Sequence, residues 1–409
     1  MALIVQKYGG SSVGTIDRIR NVARRLIETK KAGNQVMAVI SAMSGVTDRL
    51  IGLAKEVMDN PPERELDMLL ATGEQQSIAL LCMAITDMGC KAMSFTAHQA
   101  GIHAYGSHTR GRIANIVPES VIKALNDDYI VVCAGFQGVK KEDGTIYTLG
   151  RGGSDLSAIA MAAAVKADLC QIYTDVDGVY TCDPRVVKDA RKIPVLSYEE
   201  MLEMASSGSK VMQARSVEFA KKFGVVFEVR NSMNNNPGTI VQEENSAMES
   251  LAVRGVSIER NQARVTVSGI TAPVAYTAII LAALAEAEVN IDMIVANTAN
   301  DGVARQSFTM NMNDLGSAQA ALKKVLPQLG TKARLETEAG LAKLTVVGVG
   351  MRSNAGVAAT MFRALAEAGI ATGMIATSEI RISTTVEAGD IEQAARVVHG
   401  AFNLDRVTA

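Results

Sequence analysis

The tail of this 409-residue chain carries one pattern twice. Ala263-Arg-Val-Thr-Val-Ser-Gly269 and Ala342-Lys-Leu-Thr-Val-Val-Gly348 match at an offset of 79, and Ala283-Leu-Ala-Glu-Ala287 matches Ala364-Leu-Ala-Glu-Ala368 at an offset of 81. Each copy reads strand, glycine-containing loop, helix, strand, and the two-residue difference falls in a loop, where insertions cost little. Repetition at this spacing means one small unit built twice. Each copy is too short to bury a good core alone, which favours pairing with another copy.

Ahead of the repeat, up to about residue 245, short β-branched runs alternate with long amphipathic stretches. Strands are predicted at Leu3–Lys7, Val36–Ile40, Tyr129–Ala134, Leu169–Tyr173 and Val225–Val229. Helices are predicted at Asp17–Ala32, Glu63–Met88 and Ser154–Lys166. Such alternation implies an open, mostly parallel sheet with helices on both faces, an α/β fold. The run Asn231–Asn236 followed by Pro237-Gly238 marks the exit from this domain. The predicted division is 1–245, 263–335 and 342–409.

Composition removes several function classes. A formal net charge of −2 with no block of like charge recommends neither nucleic acid nor an anionic membrane as partner. No basic segment precedes an apolar core at Met1–Gly10 and no 18-residue apolar run is seen, so a cytoplasmic protein is expected. Cys82, Cys90, Cys133, Cys170 and Cys182 show no CxxC and no paired spacing, and are expected as buried free thiols. His98, His103 and His108 recur every five residues, which aligns on no helical face, and are read as loop residues without metal.

Five segments carry chemistry. Lys7-Tyr8-Gly9-Gly10-Ser-Ser12 sits where the first strand ends, and its glycines allow close backbone approach to an anion. It is neither GxxxxGK[ST] nor GxGxxG, and such a pair of glycines also serves as a plain tight turn. Gly150-Arg151-Gly152-Gly153-Ser154-Asp155 opens a helix, and the Arg151 fork suits a carboxylate. Asp155 admits a simple capping role as well. Thr174-Asp175-Val-Asp177-Gly178-Val-Tyr180-Thr-Cys-Asp-Pro-Arg185 leaves the carboxyl end of a strand, where α/β proteins hold ligands. It lacks the spacing and distal Glu of a calcium loop. Ser41-Ala-Met-Ser-Gly-Val-Thr47 follows the second buried strand. Thr72-Gly73-Glu74 puts a carboxylate inside an apolar helical stretch, either as a solvated turn or as a buried charge that needs a partner.

Together these segments resemble the aspartate kinases, within the wider amino-acid kinase family, and the duplicated tail resembles a pair of ACT domains. The resemblance implies transfer of the γ-phosphoryl group of MgATP to the β-carboxylate of L-aspartate, giving 4-phospho-L-aspartate, the first step toward lysine, threonine and methionine. It implies Lys7 and Asp155 as catalytic groups, with the metal held mainly through the nucleotide and no direct protein ligand. Nucleotide contacts are implied for Lys7, Tyr8, Gly9, Gly10, Thr174, Asp175, Tyr180, Arg185 and Lys210. Substrate contacts are implied for Ser41, Thr47, Glu74, Arg151, Gly152, Gly153 and Ser154, with Glu74 near the ammonium and Arg151 on the α-carboxylate. Lysine, threonine or both are implied as effectors. The first copy keeps the family pattern at Val289–Ile294, whereas the second has Gly373 where the first has Asp292, so effector contacts are expected around Ala275, Asp292, Met293 and Ile294. A homo-oligomer paired through the ACT domains is implied, and Met248 is placed to start a short second subunit. Two other readings stay open: another amino-acid kinase, acting on glutamate, acetylglutamate or a nucleoside monophosphate, and a silent amino-acid sensor.

Overall fold

The computed structural model describes residues 1–209, 211–244, 252–271, 275–298 and 303–406. The chain divides into two compact units, Met1–Val179 with Lys192–Ala205 and Lys210–Asn245, and Tyr180–Arg191 with Ser206–Ser209 and Ser246–Ala409.

The first unit runs Leu3–Tyr8 (β1), Ile16–Lys31 (α1), Gln35–Ile40 (β2), Val46–Val57 (α2), Glu63–Asp87 (α3) and Ala92–Phe95 (β3). It continues through Ile102–Tyr105 (β4), Arg112–Ile116 (β5), Glu119–Asn126 (α4), Ile130–Ala134 (β6), Gln137–Val139 (β7), Ile146–Thr148 (β8) and Gly153–Ala164 (α5). Leu169–Thr174 (β9), Val195–Ser197 (β10), Tyr198–Ser206 (α6), Ala214–Phe223 (α7), Phe227–Asn231 (β11) and Thr239–Gln242 (β12) complete it. Eight strands form one sheet in the order β10-β12-β11-β9-β1-β2-β6-β3. From β11 to β3 every neighbour is parallel, and β12 turns antiparallel against β11. Strands buried on both faces explain runs such as Val36-Met-Ala-Val-Ile40, which carry no alternation. A second sheet, β5-β4-β7-β8, stands beside it.

Local signals set most of these bounds. Helix α1 starts at Thr15, whose hydroxyl accepts the Arg18 N–H at 3.3 Å. It ends at Lys30 and Lys31, where positive charge favours the last turn. Its buried stripe, Ile19, Val22, Ala23, Leu26 and Ile27, packs with Val36, Ala38 and Ile40 of β2. Helix α3 has the length and composition to cross a bilayer, with an 18-residue window of mean hydropathy 1.3. Its buried face nevertheless carries Asp67 and Glu74, as the core helix of a folded unit. Of the three histidines read as loop residues, His98 and His108 lie in turns, and His103 departs from that reading. His103 lies inside β4, because buried Ile102 and Ala104 flank it at strand period. Of the five free cysteines, Cys133, Cys170 and Cys182 are buried, and Cys82 and Cys90 are half-buried.

The second unit holds the repeat: Gly255–Ile270 (β13), Tyr276–Glu286 (α8), Ile291–Thr298 (β14), Ala304–Asn311 (β15), Leu315–Leu329 (α9), Arg334–Val347 (β16), Val357–Glu367 (α10), Ile375–Thr377 (β17), Arg381–Glu387 (β18) and Ile391–Ala401 (α11). All six strands join one sheet, β14-β15-β13-β16-β18-β17. Duplication reappears in its details. Arg264 faces Glu338 and Glu259 faces Lys343 across the β13–β16 pair, so both ion pairs recur at the same offset of 79. Thr266 with Ser307 (2.8 Å) is matched by Thr345 with Ser383 (2.9 Å). The Met293 N–H donates to the Thr309 hydroxyl, as that of Met374 does to Thr385. Residues 255–259, ahead of the first copy, pair with 343–347 and so complete the sheet of the second. Cys182, Val186 and Val187, in the segment after β9, join the core around Leu344, Val346 and Val398.

Candidate active site

The strand order reverses at β1, which has β2 on one side and β9 on the other. Ligands in open α/β sheets bind at the carboxyl ends of the strands beside such a reversal, and Lys7, Tyr8, Ser41 and Thr174 stand at those ends. Lys7 and Tyr8 end β1, and both are buried. The Gly10 carbonyl accepts the Ser44 N–H at 3.2 Å, and a Cβ on Gly10 would stand 2.9 Å from the Ala42 carbonyl. Glycine is required there by close backbone approach. Ser41 donates its N–H to the Tyr8 carbonyl at 3.1 Å, and Thr47 lies in the first turn of α2.

Asp155 reaches this point from the first turn of α5. Its Oδ1 stands 2.6 Å from Lys7 Nζ, with both side chains largely buried. The contact is an ion pair whose angles fall outside hydrogen-bond geometry. Gly152 caps α5 at φ 69°, a left-handed value that suits glycine. The Gly153 N–H bonds back to Gly150, whereas those of Ser154 and Asp155 find no acceptor among the described residues. Free N–H groups at a helix start are the ordinary orphan donors and favour an anion. Ser154 packs so close to Gly135 at the end of β6 that a Cβ there would meet it at 3.0 Å. Arg151 is exposed and makes no ion pair among the described residues.

Glu74 is a helical residue of α3, not a solvated turn, and only 3% exposed. Its Oε1 accepts the Ala42 N–H at 2.9 Å, while Oε2 is buried with no partner among the described residues. Burial pushes this carboxyl up to about 7, opposed by the Ala42 N–H. A cationic group arriving at Oε2 would restore its charge and satisfy the oxygen.

Tyr8, Gly10 and Glu74 are thus joined through the backbone of residues 41–44, and Lys7 with Asp155 by their ion pair. Thr174 ends β9 next to this point, its hydroxyl on Asp175 at 3.1 Å. Tyr180 and Arg185 belong to the segment that clusters with the second unit, where Arg185 grips Asp183 at 2.8 Å. Lys210 and Met248 lie outside the described residues. In the second unit Ala275 precedes α8 and Ile294 is exposed, while the Met293 side chain is buried. Asp292 is neither free nor a turn cap, since it pairs with the ammonium of Lys343, which is 2% exposed and also held by Glu259 at 2.8 Å.

Sequence reasoning passed over two features. Phe136 takes φ 66° between β6 and β7 and donates its N–H to the Ser157 hydroxyl at 3.1 Å. Asp67, two helical turns before Glu74 on the same buried face of α3, is 0% exposed and holds the loop around Thr109. A second carboxylate at i−7 from Glu74 was the available signal for Asp67; a non-glycine in the left-handed region gives none.

Comparison with known proteins decides the family. Residues 2–231 match the amino acid kinase family, and residues 344–402 match an ACT domain. The aspartokinase of Bacillus sp. (strain MGA3) is 48% identical over 404 residues, covering 99% of this chain and 98% of that one. The chain belongs to the aspartokinases of the amino acid kinase family. The aspartokinase of Pseudomonas aeruginosa is likewise 48% identical, over 409 residues, with 99% and 98% covered. Among solved structures, aspartate kinase from Synechocystis is 38% identical, covering 98% of this chain and 70% of that chain, with a TM-score of 0.55. E. coli aspartokinase III in complex with aspartate and ADP superposes with a TM-score of 0.80 over 98% of this chain and 99% of that one. At 24% identity that likeness shows the aspartokinase fold alone.

Proposed function

We propose that this protein is an ATP-dependent phosphotransferase that phosphorylates the β-carboxylate of L-aspartate, giving 4-phospho-L-aspartate. The observations that carry it are the Lys7–Asp155 pair at the end of β1, the free N–H groups at the start of α5 and the unsatisfied oxygen of Glu74 beside Ala42. A free carboxylate with a pKa of about 3.9 is ionised at neutral pH, so no general base is needed. One β-carboxylate oxygen forms a bond to the γ-phosphorus, the bond from that phosphorus to the bridging oxygen breaks, and ADP leaves with the electron pair. The difficulty is to hold two anions in line while neutralising their charge.

Lys7 supplies a positive charge at the transferring phosphoryl group, and Asp155 keeps that ammonium aimed. Gly9, Gly10 and the start of α5 offer N–H donors, and Tyr8 shapes the loop. Glu74 takes the substrate ammonium, and Arg151 takes its α-carboxylate from the Gly152–Gly153 turn. Ser41, Thr47 and Ser154 complete the substrate contacts, and Thr174 with Asp175 faces the nucleotide. Tyr180, Arg185 and Lys210 remain nucleotide contacts on the resemblance alone. The described residues offer no cluster of three or more metal-ligating side chains, and the carboxylate beside Lys7, Asp155, is held in an ion pair with it. That suits Mg²⁺ carried on the phosphates, where it supplies charge neutralisation.

The second unit is assigned to feedback by lysine, threonine or both through two ACT domains, with boundaries 1–245, 263–335 and 342–409. We place the protein in the cytoplasm as a homo-oligomer joined through those domains, with Met248 as the start of a shorter subunit. Hydroxylamine traps acyl phosphates as hydroxamates. With ATP, the assay should give product from L-aspartate and none from glutamate or acetylglutamate. Equal product from those acceptors, or none from aspartate, would sink the reading.

A further inference from the structure

We propose that Asp67 is a positioning residue for the amino-acid substrate: from α3 it fixes the turn that carries Arg151. The inference rests on the reading of Arg151 as the α-carboxylate contact.

Asp67 is 0% exposed, and a buried carboxylate demands partners. It has them on two segments. Its Oδ1 accepts the Thr148 hydroxyl at 2.6 Å and the Thr109 N–H at 3.1 Å. Its Oδ2 meets the same N–H at 3.1 Å and His108 Nδ1 at 2.7 Å. Thr148 ends β8, three residues before Arg151. Thr109 lies in the loop joining β4 to β5 and takes φ 61°, a strained value for a β-branched residue. Strain of this kind persists only where the surroundings enforce it, and here the enforcing group is the Asp67 carboxylate.

The two segments it holds are fastened to each other as well. The Gly111 N–H donates to the Thr148 carbonyl at 2.8 Å. Arg215 on α7 donates to the Leu149 carbonyl at 3.1 Å and the Gly111 carbonyl at 2.9 Å. His108 stacks on Tyr147 with ring centroids 4.5 Å apart. A Cβ on Gly150 would stand 3.3 Å from the Thr109 carbonyl. The network therefore closes around Gly150, the first residue of the turn that presents Arg151 and leads into α5. One rigid helix thereby sets the contacts of both charged groups on the substrate's α-carbon: Glu74 directly, and Arg151 through Asp67. Orientation by a fixed scaffold matters here because a shift of about 1 Å at a reacting group can cost 10²-fold in rate.

The test is a double-mutant cycle on steady-state kinetics of the full chain. Asp67→Ala should raise KM for aspartate roughly tenfold to 10²-fold, with KM for ATP within about twofold and kcat changed less than KM. Asp67→Asn, which keeps an oxygen for Thr148 and the Thr109 N–H, should recover most of that loss. In an Arg151→Ala background Asp67→Ala should add little, because the two act as one unit. Full additivity in that background, or equal losses toward ATP and aspartate, would reduce Asp67 to a structural residue and overturn the proposal. Should Asp67→Ala not fold, Thr148→Val carries the same cycle with the same criteria. If Arg151→Ala alone leaves KM for aspartate unchanged, the reading of Arg151 fails, and the inference with it.

Discussion

Glu74→Gln tests the site through a proton. Burial sets the Glu74 carboxyl at about 7 against its ordinary 4.5, so the ionised form is disfavoured in the free folded protein. The sign follows from linkage: a raised folded value gives stability that is fully present below pH 4.5 and lost as the pH rises through about 7. Each pH unit in that window costs about 1.4 kcal/mol, so by pH 8 the ionised group costs the free protein about 3 kcal/mol. Glutamine keeps an oxygen for the Ala42 N–H but puts an unpartnered amide nitrogen where Oε2 stood, a loss of about 1 kcal/mol. The variant should thus match the wild type near pH 5 and exceed it by about 2 kcal/mol at pH 8. Amide hydrogen exchange over β2 and α3 reads this difference without requiring the whole chain to unfold in one step. Aspartate binding supplies the second readout. A substrate ammonium beside Oε2 favours the carboxylate, so binding near pH 6.5 should release about three-quarters of a proton. Calorimetry in two buffers of different ionisation enthalpy measures that release, and Glu74→Gln should abolish it together with most of the aspartate affinity. A stability difference equal at pH 5 and pH 8, or wild-type binding heats indifferent to buffer, would refute the neutral buried Glu74.

Three further outcomes follow from particular contacts. Lys7→Ala should lower turnover by about 10² or more, the usual loss on removing a transition-state donor; near-normal kcat with saturating ATP would remove Lys7 from the chemistry. Asp292→Ala should destabilise the second unit by about 1–3 kcal/mol, because buried Lys343 keeps Glu259 alone, and adding Lys343→Met should recover stability. Urea midpoints across that cycle check it, and a fully additive cycle would deny the coupling. If Asp292 also meets an effector, Asp292→Asn should weaken inhibition by lysine or threonine; an unchanged inhibition panel would confine Asp292 to its ion pair.

Much of this protein was legible locally. Period-two and buried apolar runs marked β1, β2, β6 and β9, and helical stripes marked α1 and α3, because side-chain periodicity follows directly from backbone geometry. Glycine pairs at Gly9-Gly10 and Gly152-Gly153 announced close backbone approach, and matching blocks announced a duplicated tail. Glu74 stayed undecided, since a helix with a buried carboxylate and a solvated turn share one local pattern. What tertiary structure alone decided are partnerships across distant segments. Asp67 finds Thr109 and Thr148, Lys343 finds Asp292, and residues 255–259 complete a sheet begun at 341. Each depends on the register between elements far apart in the chain, and the Asp67 contact also on left-handed backbone at Thr109 that no glycine flags. Local propensity carries no information about such distances, so a carboxylate's partner becomes visible only once the sheets and helices have set it in place.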